Sequence, residues 1–310
     1  SESGGFKGRT SGRMTGLPEI EDTRLSADLN DFTVTSTGLE DFISQWIKDE
    51  KKPDIDRYAR GTSFHINGKG SGFMNSLKVN VDLTSLLGNV RADVRLDNLV
   101  RKTSRLGISG KISSDDLDIG KIIGTETLGP LTMKSVMKTE LGSKEEGIDV
   151  AIDTLKIDRL YANGYDYSDI TALGHLSSTG FDGTIVCNDP NLNFLFQGAF
   201  ALSPQTQNAR YKFLVNLGHA DLHAIKIDKR GVSRVNLRAS ADFTRVGSGN
   251  LRGKIDIADV KLQNSMGRNN IGDISLSSYS SDGTYTIITS NDTYSGYLDM
   301  DLIPELQGYT

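Results

Sequence analysis

Apolar and polar residues alternate along most of this chain, most plainly over residues 163–202. There Ile170, Ala172 and Gly174 interleave with Thr171, Leu173 and His175, and Leu192, Phe194 and Phe196 with Asn193, Leu195 and Gln197. A period of two with apolar residues on one side predicts strands with one dry face and one wet face. Ser177-Ser178-Thr179-Gly180 and Asn188-Asp189-Pro190-Asn191 supply the turns, so the stretch reads as four short strands.

The cleanest predicted pair lies upstream. Leu77, Val79, Val81 and Leu83 point to one side, and Lys78, Asn80, Asp82 and Thr84 to the other. After a five-residue loop, residues 85–89, the apolar set is Val90, Ala92, Val94 and Leu96 against Arg91, Asp93, Arg95 and Asp97. A slip of one residue would move every apolar side chain into water, so the pairing is strongly specified. Further strands are predicted from Leu25 to Phe32, at 106–113, 131–141, 148–160, 211–217, 224–227, 235–243, 251–262, 271–278, 284–290 and 296–302.

The helical period is confined to two places. Leu39, Phe42, Ile43 and Trp46 fall at i, i+3, i+4 and i+7, which predicts one short helix near residues 39–49. Thr37, with Glu40 three residues on, fits a capping box, and Lys51-Lys52-Pro53 ends the pattern. The polar side carries Glu40, Asp41, Asp49 and Glu50 against Lys48, so the helix is expected to pack on the end of its own sheet rather than on a membrane surface. Residues 119–123 suggest a single helical turn. Residues 1–19 show little periodicity and are expected to be a flexible entry segment. Residues 20–310 are then a single elongated β domain of degenerate strand–turn repeats, each packing mainly on its neighbours.

Composition changes this picture only a little. The 310 residues include 33 glycines and 6 prolines, which suits many turns. The formal net charge is −5 with both signs interspersed, giving no basic footprint for nucleic acid. Cys187 is the single cysteine, expected to be a buried thiol, so no intramolecular disulfide forms. No apolar run of about 18 residues exists to span a membrane as a helix.

Candidate chemistry is sparse. Neither a nucleophile elbow, a phosphate-binding P-loop nor a zinc-protease signature occurs. His219 and His223 are four apart, but on a strand that spacing separates them by over ~13 Å, so surface histidines are expected. Residues 114–118, SDDLD, lack the glycine and distal glutamate of a calcium loop and read as a solvated turn. No catalytic, metal or cofactor site is therefore assigned. Tyr161, Tyr165 and Tyr167 are the best aromatic candidates for a competing reading, a surface or extracellular β-rich module that binds glycan or protein.

Several runs resemble one family. "NGYDYSDITALGHLSSTGFDGTIVCNDPNLNFLFQGAFAL" with "VNLGHADLHAIKIDKR", and upstream "LSADLNDFTVTSTGLEDFISQW", "LGISGKISSDDLDIGKIIG" and "GNLRGKIDIADVKL", are similar to the periplasmic part of TamB-type proteins of the Bacteroides lineage, within the wider AsmA-like family. The resemblance covers most of residues 20–290. It implies a mostly β fold: a long, twisted, antiparallel-rich sheet forming a trough or incomplete barrel. It implies a non-enzymatic envelope role in phospholipid transport between membranes and outer-membrane biogenesis. The partners implied are phospholipid acyl chains and an outer-membrane β-barrel assembly factor. It also implies a periplasmic segment of a longer chain, anchored to the inner membrane by segments absent here. By strand position it implies a groove lined by Leu77, Val79, Val81, Val90, Val94, Leu96, Leu192, Phe194 and Phe196. Periodicity alone fits a closed two-sheet core equally well.

Overall fold

The computed structural model describes residues 6–17, 22–43, 61–99, 106–141, 148–201, 210–229, 231–246, 250–281, 284–291 and 295–298. The fold is mostly β: among the described residues it is built from antiparallel ladders that do not close into a barrel, with two short helices. The chain divides into two compact units, residues 1–177 and 178–310.

In the first unit the strands are β1 (Phe6–Thr15), β2 (Arg24–Thr35), β3 (Ser63–Phe73), β4 (Ser76–Ser85), β5 (Gly88–Asp97), β6 (Leu106–Asp118), β7 (Leu128–Leu141), β8 (Ile148–Ala162) and β9 (Tyr165–Ser177). Each pairs antiparallel with the next. Helix α1 (Ser36–Ile43) follows β2, and α2 (Ile119–Ile123) follows β6. The second unit runs through β10 (Gly180–Asp189), β11 (Leu192–Ala201), β12 (Arg210–Asp221), β13 (Ser233–Val246), β14 (Asn250–Asn264), β15 (Gly267–Ser281), β16 (Thr284–Asn291) and β17 (Ser295–Leu298), again paired in sequence order.

Several local expectations are corrected. Residues 163–202 hold three strands rather than four, because Tyr165–Ser177 is one continuous strand after the turn at Asn163-Gly164. The five-residue loop between β4 and β5 is a two-residue turn, Leu86-Leu87, since Ser85 pairs directly with Gly88. Gly88 takes φ 110°, a conformation that glycine adopts without strain. Residues 224–227 form a turn, not a strand: Ile225 N–H bonds back to Asp221 O at 3.0 Å. Residues 6–15 of the expected entry segment form β1, ten residues paired along β2. Helix α1 begins at Ser36, and its cap is Thr35, whose Oγ1 accepts from Gly38 N–H at 3.2 Å, rather than Thr37. The remainder of the predicted helix, Trp46 included, lies outside the described residues.

The SDDLD run is not a turn. It continues β6 through a bulge and then caps α2, where the Asp118 side chain accepts from Lys121 N–H at 3.1 Å. The same bulge recurs. Asp31 (φ 48°), Asp116 (φ 51°) and Asp259 (φ 55°) each sit where the pairing shifts. Each freed N–H donates to a side chain on the following strand: Asn67 Oδ1 at 3.0 Å, Thr132 Oγ1 at 3.0 Å and Asp273 Oδ1 at 2.9 Å. Each is followed by an apolar residue, Phe32, Leu117 and Val260. The extra residue stretches the apolar spacing from two to three, as from Leu29 to Phe32, and bends the strand.

A candidate apolar groove

Directly opposed residues in a ladder share a face, so pairing fixes which side chains line each sheet. In the first unit one row runs Gly12, Ala27, Gly70, Val79, Val94, Gly110, Met137, Ile152, Gly174 across β1 to β9. The next runs Leu25, Gly72, Leu77, Leu96, Ile108, Thr139, Val150, Leu176 across β2 to β9. Val81 and Val90 sit in the two further rows beside Ala92 and Leu83. At the usual strand spacing, a row of nine strands spans about 38 Å along the sheet. The opposite face carries the charges: Lys78, Asn80, Asp82, Arg91, Asp93 and Arg95 are all exposed.

The degree of burial separates a closed core from an open face. Leu77 and Val94 are buried, at 7% and 8% exposure. Val79, Val81, Val90 and Leu96, in the middle of the sheet, are only half-buried. A second layer packed on this face would bury those residues completely. Glycines in the row leave the face low rather than filled. Gly110 has φ 142°, and a Cβ there would run into the Asp93 carbonyl oxygen of β5.

One end of this face is plugged. Phe64 of β3 (2% exposed) and Leu87 (5%) form a buried cluster, with Leu39 of α1, Leu83 of β4 and Ile122 of α2 packed against it. Leu39 is thus placed at the sheet end, as the helical period predicts. The side chains of Phe42, Ile43 and Trp46 lie outside the described residues.

In the second unit the apolar face is aromatic. Phe194 pairs with Cys187 and Leu217, Phe196 with Ile185 and Val215, and Leu192 with Asp189 and Ala220. Phe196 is buried at 9% and Phe194 and Leu192 are half-buried. Rings pack against one another along the face. Phe196 lies 6.2 Å from Phe181, 5.4 Å from Phe200 and 5.5 Å from Phe213, and Tyr211 stacks on Phe243 at 4.7 Å. Such offset and edge contacts add about 0.5–1.5 kcal/mol per pair beyond area. Gly198, φ 133°, plays the part of Gly110: a Cβ there would meet the Lys212 carbonyl oxygen. Cys187 is fully buried. The turn after β12 holds Ile225, which is 1% exposed. Asp221 organises that turn. Its carboxylate accepts from Ala224 N–H at 3.0 Å and from Arg234 Nε at 2.8 Å, and these bonds, the backbone one first, hold its pKa below the ordinary range.

The nine predicted lining residues therefore all fall on apolar faces, six on adjacent strands β4 and β5 and three on β11. Pattern reading placed the strands at 131–141 and 148–160 but did not name Met133, Met137, Ile152 and Ile157, which continue the first face, among the lining residues. Nor did it name Phe181, Phe200 and Phe213 as lining, although they carry the signal of alternation.

The remaining candidates are accounted for singly. His219 Nε2 lies 2.7 Å from Pro190 O, and His223 Nδ1 3.1 Å from Asp228 O, so each engages a backbone carbonyl. Among the described residues no group of three or more His, Cys, Asp or Glu is placed to hold a metal, and no helix is long and apolar enough to cross a membrane. Tyr165 and Tyr167 pack edge-to-face at 4.8 Å, and Tyr161 lies over Gly129. All three rings are half-buried. Comparison with known protein families, with characterised proteins and with solved structures finds no match to this chain.

Proposed function

We propose that the apolar faces hold phospholipid acyl chains, and that the chain is a non-catalytic TamB/AsmA-like segment working in the periplasm. Its role on this reading is lipid movement between membranes and outer-membrane assembly, with a β-barrel assembly factor as partner. The observation that carries the reading is the incompletely buried centre of a nine-strand apolar face, at Val79, Val81, Val90 and Leu96. Water covering such a face is unfavourable by roughly 25 cal/mol per Å², and an acyl chain laid on it gains about 0.8 kcal/mol per CH₂ buried. Aliphatic rows without fixed polar partners suit a ligand that has length but no directional groups.

Native mass spectrometry of protein purified from a bacterial envelope tests this. Phospholipid adducts are expected on the wild type and not on Val79→Asp, which stays folded. Adduct-free protein, together with unfolding of Val79→Asp, would instead mean a closed core and end the proposal.

A further inference from the structure

The polar faces of both units pair their charges. Arg91 meets Asp82 at 2.8 Å, Lys156 meets Asp158 at 3.3 Å, and Arg159 meets Asp116 and Asp166 at 2.7 Å each. In the second unit Arg234 meets Asp221 at 2.8 Å and Lys254 meets Asp256 at 2.8 Å. A depression of about 730 Å³ there mixes Asp182, Asp242 and Asp256 with Arg210, Lys212 and Lys254.

One depression in the first unit breaks this rule. It has a volume of about 720 Å³, and its charged lining is Arg13, Arg24, Lys78 and Arg95, with no carboxylate among the lining residues. No ion pair joins any of the four to an acid among the described residues, in a chain whose net charge is −5. The placement follows from the ladder. Arg13, Ser26, Ser71, Lys78 and Arg95 are successive partners across β1 to β5, on the face opposite the apolar groove. The short side chains of Ser26 and Ser71 make the floor, and the cations stand on either side.

Two details argue that an anion belongs there. Lys78 and Arg95 are directly opposed, and like charges at that position destabilise a ladder unless something neutralises them. The Arg24 guanidinium is held 5.4 Å above the Phe73 ring, a cation–π contact that positions its donors without neutralising its charge. Asp93 and Asp97 flank Arg95 two residues away on either side of β5; Asp97 is engaged by the Ser76 hydroxyl at 2.6 Å, and Arg95 Nη1 donates to that same hydroxyl at 3.4 Å, while neither carboxylate forms an ion pair with Lys78 or Arg95 among the described residues.

We infer that this depression binds a phosphate-bearing ligand, with the phosphate bridging Lys78 and Arg95 and Arg24 and Arg13 facing it from across the serine floor. Guanidinium forks and an ammonium, with hydroxyl donors between them, match phosphate oxygens better than they match a single carboxylate. The inference rests on the polar face and is independent of whether the apolar face carries lipid.

The test is thermal unfolding in inorganic phosphate against sodium chloride at equal ionic strength, with flotation on phosphatidylglycerol and phosphatidylcholine vesicles alongside. A saturable phosphate-specific rise in Tm is expected for the wild type. Lys78→Gln/Arg95→Gln should fold and lose that rise. Lys78→Glu should raise Tm in phosphate-free buffer, by neutralising Arg95, and abolish the response. Flotation on phosphatidylglycerol alone, lost in the double variant, assigns the phosphate to a lipid headgroup. Phosphate stabilisation without flotation assigns it to a soluble phosphate compound. A phosphate response equal to that of chloride, or one that persists in the double variant, overturns the inference.

Discussion

The two units use the same strand–turn grammar to build apolar faces of different kinds. The first is aliphatic and glycine-punctuated, with Val79, Val81, Ala92 and Ile112 lying half-covered along it. The second gathers Phe181, Phe196, Phe200 and Phe213 into a ring cluster with Phe196 buried at its centre. Equal alternation thus gives unequal rigidity. Aliphatic rows contribute area without orientation, whereas interlocked rings contribute orientation as well. On the proposed reading the first face accepts a flexible chain along its length, whereas the second is already partly filled by its own side chains.

The sharpest way to break this contrast is to remove its centre. Phe196→Ala should cost the second unit about 3–5 kcal/mol, the range for truncating a packed phenylalanine, while Val79→Ala costs the first unit far less. Denaturant melts followed by probes in each unit check this, and equal losses at the two sites would erase the distinction. Gly110→Val and Gly198→Val come next. Both force a side chain into a positive-φ strand position and against a carbonyl, so each should lose at least about 1–3 kcal/mol, and they should do so alike because this device is shared. Val79→Asp should follow at about 1–2 kcal/mol, within the common range for single substitutions, with native circular dichroism retained.

A pH prediction concerns the turn after β12. The Asp221 pKa is held down in the folded state by the Ala224 N–H and then by Arg234. A depressed carboxylate contributes stability that is present above its unfolded pKa, near about 4, and is lost as pH falls through its folded value. Acid below about pH 4 should therefore loosen the turn around Ile225. Asp221→Asn should already be weakened at neutral pH and should lack that acid step, as read by hydrogen exchange of residues 222–227. The smallest effect belongs to the exposed Arg91–Asp82 pair, where Arg91→Gln should change stability by no more than about 0.5 kcal/mol in a chemical melt.

Much of this architecture was legible because alternation over Leu77–Leu83 and Val90–Leu96 has one physical meaning. Those strands, and the placement of their six candidate residues on one apolar face, follow from it directly. The helix start was misplaced because both Thr35 and Thr37 are competent caps and only the backbone decides between them. The SDDLD run was misread because a bulge and a turn draw on the same residues, Asp and Ser at unusual φ. The strand expected at 224–227 failed for a related reason: Ile225 and Ile227 alternate, but the chain there serves Asp221, and Ile227 is 67% exposed. The unpaired cations were invisible to sequence because Arg13, Arg24, Lys78 and Arg95 are scattered over more than eighty positions and meet only through the ladder. Their neighbours in sequence do not reveal that no acid stands opposite them.

The aspartate bulges at Asp31, Asp116 and Asp259 bear on a hazard that long repetitive sheets face during folding. Strands of similar length and pattern can anneal at the wrong offset, or with the equivalent strand of another copy, and a regular ladder offers no penalty for a slide of two. A strand with one extra residue at a fixed place fits a partner only where a side chain waits for the freed N–H, as Asn67, Thr132 and Asp273 do. Each bulge is thus a notch that only its own neighbour matches. A chain that repeats itself almost everywhere is told apart, strand by strand, at the few positions where it does not.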